Sequence, residues 1–382
     1  MSRAALVAWL VLAGGVGHAD APPPYVWSLP PGFPIPVVPA DNPMSESKVA
    51  LGQKLFADGR LSATGDYSCA SCHVPRLAFT DGRRTAIGAT GELHSRNTPS
   101  LYNVTWAASL GWADPDVTVL ERQHLVPMFN IAPVELGLTR QNLPLRLEEL
   151  NADPVLRRLF VAAFPDEAAK GIGLEHVTRA IAAYVRTLVS GNSAYDRYLY
   201  FDERERLDPE AKRGLDLFFS EALDCSTCHA SFAFSGPVRH AGAPKVRPVF
   251  HNTGLYNVNG RGDVPDRGLA LHTHRKRDTG AFRAPSLRNV ALTAPYMHDG
   301  SIATLEEVID FYARGGRLTK SGPLAGDGRT SPYKRAELRG FVLGPGDRAA
   351  LIAFLECLTE LEPIPGASES ARGSRMIPAR LP

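Results

Sequence analysis

Two five-residue motifs, C-A-S-C-H at residues 69–73 and C-S-T-C-H at residues 225–229, decide how this sequence folds. They contain four of the five cysteines in the 382-residue chain. Five cysteines are too few for a fold held together by disulfides. In each motif two thiols lie three residues apart and a histidine follows directly. This spacing is typical of covalent attachment of a c-type haem, in which the histidine binds the iron.

The two motifs therefore predict two covalently bound haems c, with one proximal histidine for each iron. The predicted haem-binding residues are Cys69, Cys72, His73, Cys225, Cys228 and His229. The alternative interpretation is a zinc site, in which both cysteine pairs would converge on one metal. Each motif instead lies in its own copy of a longer repeat, which favours one haem site per copy.

The sequence around the first motif recurs around the second in the same order. The matched segments are 48–56 with 211–219, 98–104 with 284–290, and 180–188 with 350–358. The first and last pairs have the apolar periodicity of helices. The repeat predicts a mainly α protein with two homologous cytochrome c-like domains, 48–190 and 208–362. Each domain would carry one covalent haem, with the haems on either side of the domain interface.

The N-terminus has the pattern of a secretory signal peptide. Residues 1–19 combine a basic residue, an apolar run and small residues before the predicted cleavage point after Ala19. The apolar run is shorter than the roughly 20 residues that span a bilayer, so an uncleaved anchor is the less favoured alternative. The mature protein is expected in the periplasm, with no membrane span after cleavage.

Three further segments complete the predicted organisation. Residues 20–47 form a Pro-rich arm that is expected to be extended, and residues 191–207 form a charged linker. The Ser-, Arg- and Pro-rich residues 363–382 are expected to be a disordered tail. With 42 Lys and Arg against 40 Asp and Glu, the net charge of +2 excludes a polybasic nucleic-acid-binding protein.

The second half contains a helix with an unusual tyrosine. Residues 303–312 show a capping box and an apolar stripe that ends at Tyr312. From this pattern alone, Tyr312 is a core residue. Met297 is a second candidate for the sixth ligand of the haem in this half.

The run L-R-N-V-A-L-T-A-P-Y-M-H-D-G-S (287–301), together with the two motifs and the repeat, resembles the bacterial di-haem cytochrome c peroxidases and MauG. The resemblance covers roughly residues 45–362. Two other stretches, 30–45 and 250–257, resemble the MbnH-type di-haem enzymes of this family. In the peroxidases a methionine ligand lies fourteen residues after the histidine that corresponds to His298, and here that residue is Tyr312. The resemblance implies His229 and Tyr312 as ligands of the second iron, as in MauG.

The resemblance also describes the surroundings of the first haem. Conventional members of the family have a removable distal histidine where this chain has Ala89, so an open first haem is expected. His94 is nearby but out of register, and it is the remaining candidate for a distal ligand. Trp112 is expected between the haems as an electron relay.

Three residues are implied to form the distal pocket of the first haem: Gln123, Pro127 and Glu135. A carboxylate over an open iron can move a proton between the two oxygens of a peroxide, which is the role expected of Glu135. His124 is a competing candidate for the same role. The family also implies one calcium ion, bound by the Asn97 side chain and the carbonyls of Thr293 and Pro295, which suits the preference of calcium for oxygen ligands.

Three functions remain open on this basis. The first is a MauG-like enzyme that reduces hydrogen peroxide at the first haem and oxidises a periplasmic protein substrate, such as a copper-binding protein. Leu223 replaces the electron-exit tryptophan of MauG, which favours a partner other than methylamine dehydrogenase. The second is a conventional cytochrome c peroxidase that takes electrons from a small cytochrome or cupredoxin. The third is a non-catalytic di-haem electron carrier, which requires both sixth positions to be filled.

Overall fold

The computed structural model describes residues 25–361 of the chain. The predicted signal peptide and the predicted tail lie outside the described residues. Within the described range no helix is long and apolar enough to cross a membrane.

The described chain is mainly helical, as the sequence predicts, with two small antiparallel two-stranded sheets. The helices are α1 Glu46–Phe56, α2 Cys69–Cys72, α3 Leu120–Gln123, α4 Leu125–Phe129, α5 Leu143–Ala152, α6 Pro154–Ala163, α7 Leu174–Arg186, α8 Ala194–Tyr200, α9 Pro209–Phe218, α10 Ala270–Thr273, α11 Leu305–Ala313 and α12 Asp347–Glu356. The strands are β1 Phe250–His251 paired with β2 Phe282–Arg283, and β3 Leu318–Thr319 paired with β4 Gly326–Asp327.

The helix before each haem motif packs against the helix that closes its half of the chain. α1 crosses α7 at Gly52, where an added β-carbon would lie 1.9 Å from the carbonyl oxygen of Ala180. α9 crosses α12 at Gly214, where an added β-carbon would lie 1.9 Å from the carbonyl oxygen of Ala350. Such a close approach of two backbones is open only to glycine. The sequence repeat aligns residue 180 with residue 350, so the repeated pattern corresponds to a repeated contact.

The asparagine of each repeated P-S-L-x-N-V segment makes the same bond in both halves. Asn103 and Asn289 have left-handed backbones with φ of 59° and 62°. Their N–H groups donate to the carbonyls of Leu188 (2.9 Å) and Leu358 (3.0 Å), at the ends of the closing segments. The left-handed conformation is one that asparagine tolerates better than most residues. These bonds attach each P-S-L-x-N-V segment to the end of the closing helix of its half.

The segment predicted as a charged linker is largely integrated into the folded body. Its residues form helix α8, which begins after Ser193 and carries Asp196 on its first turn. Asp196 is fully buried and makes two bonds to Arg288, at 2.7 and 2.8 Å. A bidentate Arg–carboxylate pair is strong and geometrically specific. The pair fixes α8 to the segment that follows strand β2.

The described part of the Pro-rich arm is extended, as its prolines predict, and it contacts both halves. Phe33 packs edge-on against Trp106 (5.5 Å between ring centroids) and also contacts Phe232 (4.6 Å). The Trp106 indole donates to the carbonyl of Pro34 at 2.9 Å. Trp106 is fully buried.

Candidate functional site

The first haem motif forms the short helix α2, and its histidine follows directly. The Nδ1 atom of His73 lies 2.7 Å from the carbonyl oxygen of Phe79, which makes Nδ1 the protonated donor. Burial lowers the pKa of His73, against the opposing effect of this hydrogen bond. The imidazole is therefore neutral and its Nε2 lone pair is free. This is the hydrogen-bonded orientation typical of a histidine that binds a metal.

The second motif repeats this arrangement. His229 Nδ1 lies 3.2 Å from the carbonyl oxygen of Phe234, and burial lowers the pKa of its imidazole as well. The motif cysteines Cys225 and Cys228 are free thiols. Two free thiols and an oriented imidazole are the donor set that covalent attachment of a c-type haem requires.

A cavity of about 450 Å³ lies against the second motif. Its wall includes Cys225, Cys228 and His229, so it fits a haem bound by this motif. Tyr312 and Met297, the two candidates for the sixth ligand, both line the same cavity. The remaining wall is largely apolar and includes Leu223, Leu255, Leu287, Leu305, Leu351 and Leu355. The structure thus brings both candidate ligands to the haem cavity.

Helix α11 presents Tyr312 to this cavity. Burial raises the pKa of the Tyr312 phenol above its ordinary value, and the nearby thiols Cys228 and Cys225 add to the effect. The hydroxyl is thus neutral in the haem-free protein. A bound metal cation reverses this preference, since it stabilises the phenolate.

The predicted relay and the predicted calcium ligands lie together on the wall of the same cavity. Trp112 donates its indole N–H to the carbonyl of Asn97 at 2.8 Å. Asn97 in turn donates its backbone N–H to the carbonyl of His298 at 2.7 Å, which joins the two halves of the chain. Thr293 and Pro295 line the cavity beside them. The side-chain amide nitrogen of Asn97 donates to the backbone carbonyl of Arg83 at 2.8 Å. The amide oxygen of Asn97 is therefore the atom able to bind a cation.

The loop that carries Glu135 lies near the first motif, since the Glu135 carboxylate contributes to the raised pKa of the Cys69 and Cys72 thiols. The backbone N–H of Ala89 donates to the backbone carbonyl of Glu135 at 2.7 Å. The backbone N–H of Leu136 donates to the backbone carbonyl of Pro127 at 2.9 Å. Burial raises the pKa of the Glu135 carboxyl, against the opposing effects of His94 and Asn130. A carboxyl with a raised pKa is suited to general acid and base catalysis.

The competing residue His124 has different properties. Its Nε2 is buried and has no hydrogen-bond partner among the described residues. Burial, followed by the charges of Arg186 and His73, lowers the pKa of its imidazole to about 3. At neutral pH it is therefore uncharged and a very weak base.

Gln123 lies one residue earlier, at the end of α3, with its side-chain oxygen near Gly111.

His94 lies near Glu135, and its charge opposes the rise in the pKa of the Glu135 carboxyl. Its Nε2 is 3.2 Å from the carbonyl of Val134, next to Glu135. Arg283 also lines the haem cavity. Sequence analysis does not single it out, because nothing in its local pattern distinguishes it from a surface arginine.

Another histidine cluster, at Glu167, Glu175 and His176, has the ligand types of a metal site. The backbone N–H of Gly173 donates to His176 Nδ1 at 3.0 Å, so the proton of the neutral ring must be on Nε2. That atom lies 3.2 Å from the Glu167 carboxylate. The cluster is therefore a helix cap with a hydrogen-bonded histidine.

Comparison with known proteins agrees with this arrangement. Residues 46–204 match the family described as di-haem cytochrome c peroxidase. The chain is 36% identical over 322 residues to the methylamine utilization protein MauG of Methylorubrum extorquens, covering 84% of this chain and 80% of that protein. It is 34% identical over 375 residues to the cytochrome-c peroxidase IdrP1 of Denitromonas iodatirespirans, covering 94% and 92%.

A solved structure extends the similarity to the fold. It is described as a MauG-like protein associated with microbial copper homeostasis and matches with a TM-score of 0.85 and 46% identity. The match covers 88% of this chain and 96% of that one. Membership implies two haems c and peroxidase-type redox chemistry. The chain belongs to the di-haem cytochrome c peroxidase and MauG family of haem peroxidase oxidoreductases.

Proposed function

We propose that this protein is a periplasmic MauG-like enzyme that uses hydrogen peroxide to oxidise residues of a partner protein. The observation that carries the proposal is that Tyr312 lines the same cavity as Cys225, Cys228 and His229. A phenolate is an anionic oxygen ligand, and it stabilises high oxidation states of iron more than a thioether does. A tyrosine-ligated second haem therefore suits the storage of oxidising equivalents.

The proposed architecture has two cytochrome c-like domains, 48–190 and 208–362, with one haem on either side of their interface. The paired glycine contacts at Gly52 and Gly214 support this division, because each half has its own helix crossing. The hydrogen bonds of His73 and His229 support one proximal ligand in each half.

In the proposed mechanism, peroxide binds in a distal pocket formed beside the Glu135 carboxyl. The bound haem supplies the redox chemistry, and Glu135 moves a proton from the inner to the outer peroxide oxygen as the O–O bond breaks. Gln123 and Pro127 are proposed to line the same pocket and to limit the space around the peroxide. His124 is a poorer candidate for the proton transfer because the pKa of its imidazole is about 3.

Trp112 is proposed to carry electrons between the two haems. Its indole is held by the Asn97 carbonyl, and both residues line the haem cavity at the boundary of the two halves. A calcium ion bound by Asn97, Thr293 and Pro295 would fix the loops on both sides of that boundary. Its oxygen-only ligand set agrees with calcium.

The partner is proposed to be a small periplasmic copper-binding protein. This rests on the 46% identity to a MauG-like protein associated with microbial copper homeostasis. A conventional cytochrome c peroxidase is the second candidate function. Met297 favours it, because this methionine also lines the haem cavity and offers the thioether ligand of such enzymes.

Replacing Trp112 by phenylalanine tests the proposed relay. We expect the holoprotein to retain both haems and to consume peroxide, while oxidation of the second haem slows at least tenfold. The measurement is rapid-mixing visible spectroscopy of the fully oxidised protein with hydrogen peroxide. Trp106→Phe is the control, because Trp106 is a fully buried tryptophan outside the haem cavity lining. Equal rates for Trp112→Phe and the unaltered protein would remove Trp112 from the electron path.

A further inference from the structure

Arg283 lies beside the haem cavity and forms no ion pair with any residue that the structure describes. It lies on strand β2 and lines the cavity together with Trp112 and His229. Burial lowers the pKa of its guanidinium to about 10, and no neighbouring acid offsets this effect. Among residues 25–361, its side chain has one hydrogen-bond acceptor, the carbonyl oxygen of Gly111. The two terminal nitrogens of the guanidinium have no partner in this part of the chain.

This arrangement is costly unless an anion occupies the cavity. Arg283 is half-buried, and a charge that is partly removed from water without a partner is unfavourable; a paired and hydrogen-bonded anion reduces this cost. Three carboxylates line the cavity at Glu221, Asp224 and Glu337, but none forms an ion pair with Arg283. Residues 25–361 thus supply no anion for Arg283, which favours an anion carried by the occupant of the cavity.

The occupant that membership of the family implies carries such anions. A haem has two propionate carboxylates, and a guanidinium binds a carboxylate through two parallel N–H bonds. We infer that the Arg283 guanidinium forms an ion pair with a propionate of the haem attached to the second motif. This inference rests on the proposed ligation of that haem by Cys225, Cys228 and His229.

Arg283 is also hydrogen-bonded to the backbone of the proposed electron relay. Its Nε donates to the carbonyl of Gly111, and its backbone N–H donates to the carbonyl of Trp112 at 3.0 Å. Arg283 thereby connects the propionate edge of the second haem to the backbone of Trp112. It acts as a positioning residue that fixes the relay relative to the haem and places a positive charge beside it. The backbone bond is retained in any side-chain variant, so the effect of the guanidinium can be measured separately.

The test is spectroelectrochemical titration of the two haems in the holoprotein. Removing a positive charge next to the second haem makes its reduction less favourable. For Arg283→Gln we expect the reduction equilibrium constant of the second haem to fall at least tenfold, a decrease of about 59 mV for a one-electron couple. Arg283→Lys retains the charge and should restore most of this loss. The potential of the first haem should change much less.

Arg339→Gln is the matched control. Arg339 lines the same cavity but is exposed, so water screens its charge and its removal should leave both potentials nearly unchanged. An Arg283→Gln protein with two attached haems and an unchanged potential for the second haem would overturn the inference. So would an equal shift in Arg339→Gln. Failure of the underlying ligation would look different, because His229→Gly would then leave the spectrum of the second haem unaltered.

Discussion

Replacing Glu135 by glutamine is expected to slow peroxide cleavage by about 10²–10⁴-fold, the usual contribution of a positioned acid–base group. Glutamine has nearly the same shape but cannot accept and return a proton. The carboxyl is suited to the task because burial raises its pKa above its ordinary value. Both haems should stay attached, since Glu135 is not part of either motif. Stopped-flow absorption after mixing with hydrogen peroxide measures the rate.

The Glu135 experiment has a control on a neighbouring loop. Glu92 is exposed, and its carboxylate accepts from the backbone N–H of Val134 at 3.1 Å. Glu92→Gln therefore removes an equal charge close to Glu135 without touching the pocket, and we expect near-normal kinetics. Unaltered kinetics in Glu135→Gln, combined with slow kinetics in His124→Gln, would assign the proton transfer to His124.

Replacing Tyr312 by methionine is expected to change the character of the second haem. A thioether favours reduced iron relative to a phenolate, so the potential of the second haem should rise. A sulfur-to-iron charge-transfer band should appear in the visible spectrum of the oxidised protein. The long-lived product of the reaction with peroxide should be lost, because a thioether stabilises high oxidation states poorly.

Two variants separate ligand loss from general damage to the cavity. Tyr296 also lines the cavity, and its hydroxyl donates to the carbonyl of Val290 at 3.1 Å. Tyr296→Met makes the same substitution at a residue with a different partner, and we expect no new charge-transfer band. Met297→Leu should leave the spectrum unchanged. If Tyr312→Met has the spectrum of the unaltered protein while Met297→Leu does not, Met297 is the ligand.

The elements encoded by local patterns are the ones that the sequence predicts well. The capping box of α11 is present, with the Glu307 N–H donating to the Thr304 hydroxyl at 3.2 Å. Asp208 caps α9 and Pro209 opens it, as their order in the sequence indicates. These features depend on residues three or fewer positions apart. Such spacing can be read from the chain directly.

The features that were missed depend on contacts between distant residues. Asp196 and Arg288 are 92 positions apart, so the segment around Asp196 is predicted from its sequence as a charged linker. Arg283 looks like an ordinary strand arginine, and its lack of a counter-ion is visible only once the cavity wall is assembled. The site roles of Glu135, Trp112 and Tyr312 came from a family resemblance. Their burial and hydrogen bonds then supply physical reasons that spacing alone does not.

The most direct test of the proposed function is to add hydrogen peroxide to the fully oxidised holoprotein and record visible and near-infrared spectra. The proposal predicts reaction without prior reduction, giving a long-lived state that holds two oxidising equivalents and shows a haem-to-haem charge-resonance band. Reaction only after one haem has been reduced would contradict it and indicate a conventional cytochrome c peroxidase. Absence of reaction in both states would contradict it as well and indicate an electron carrier.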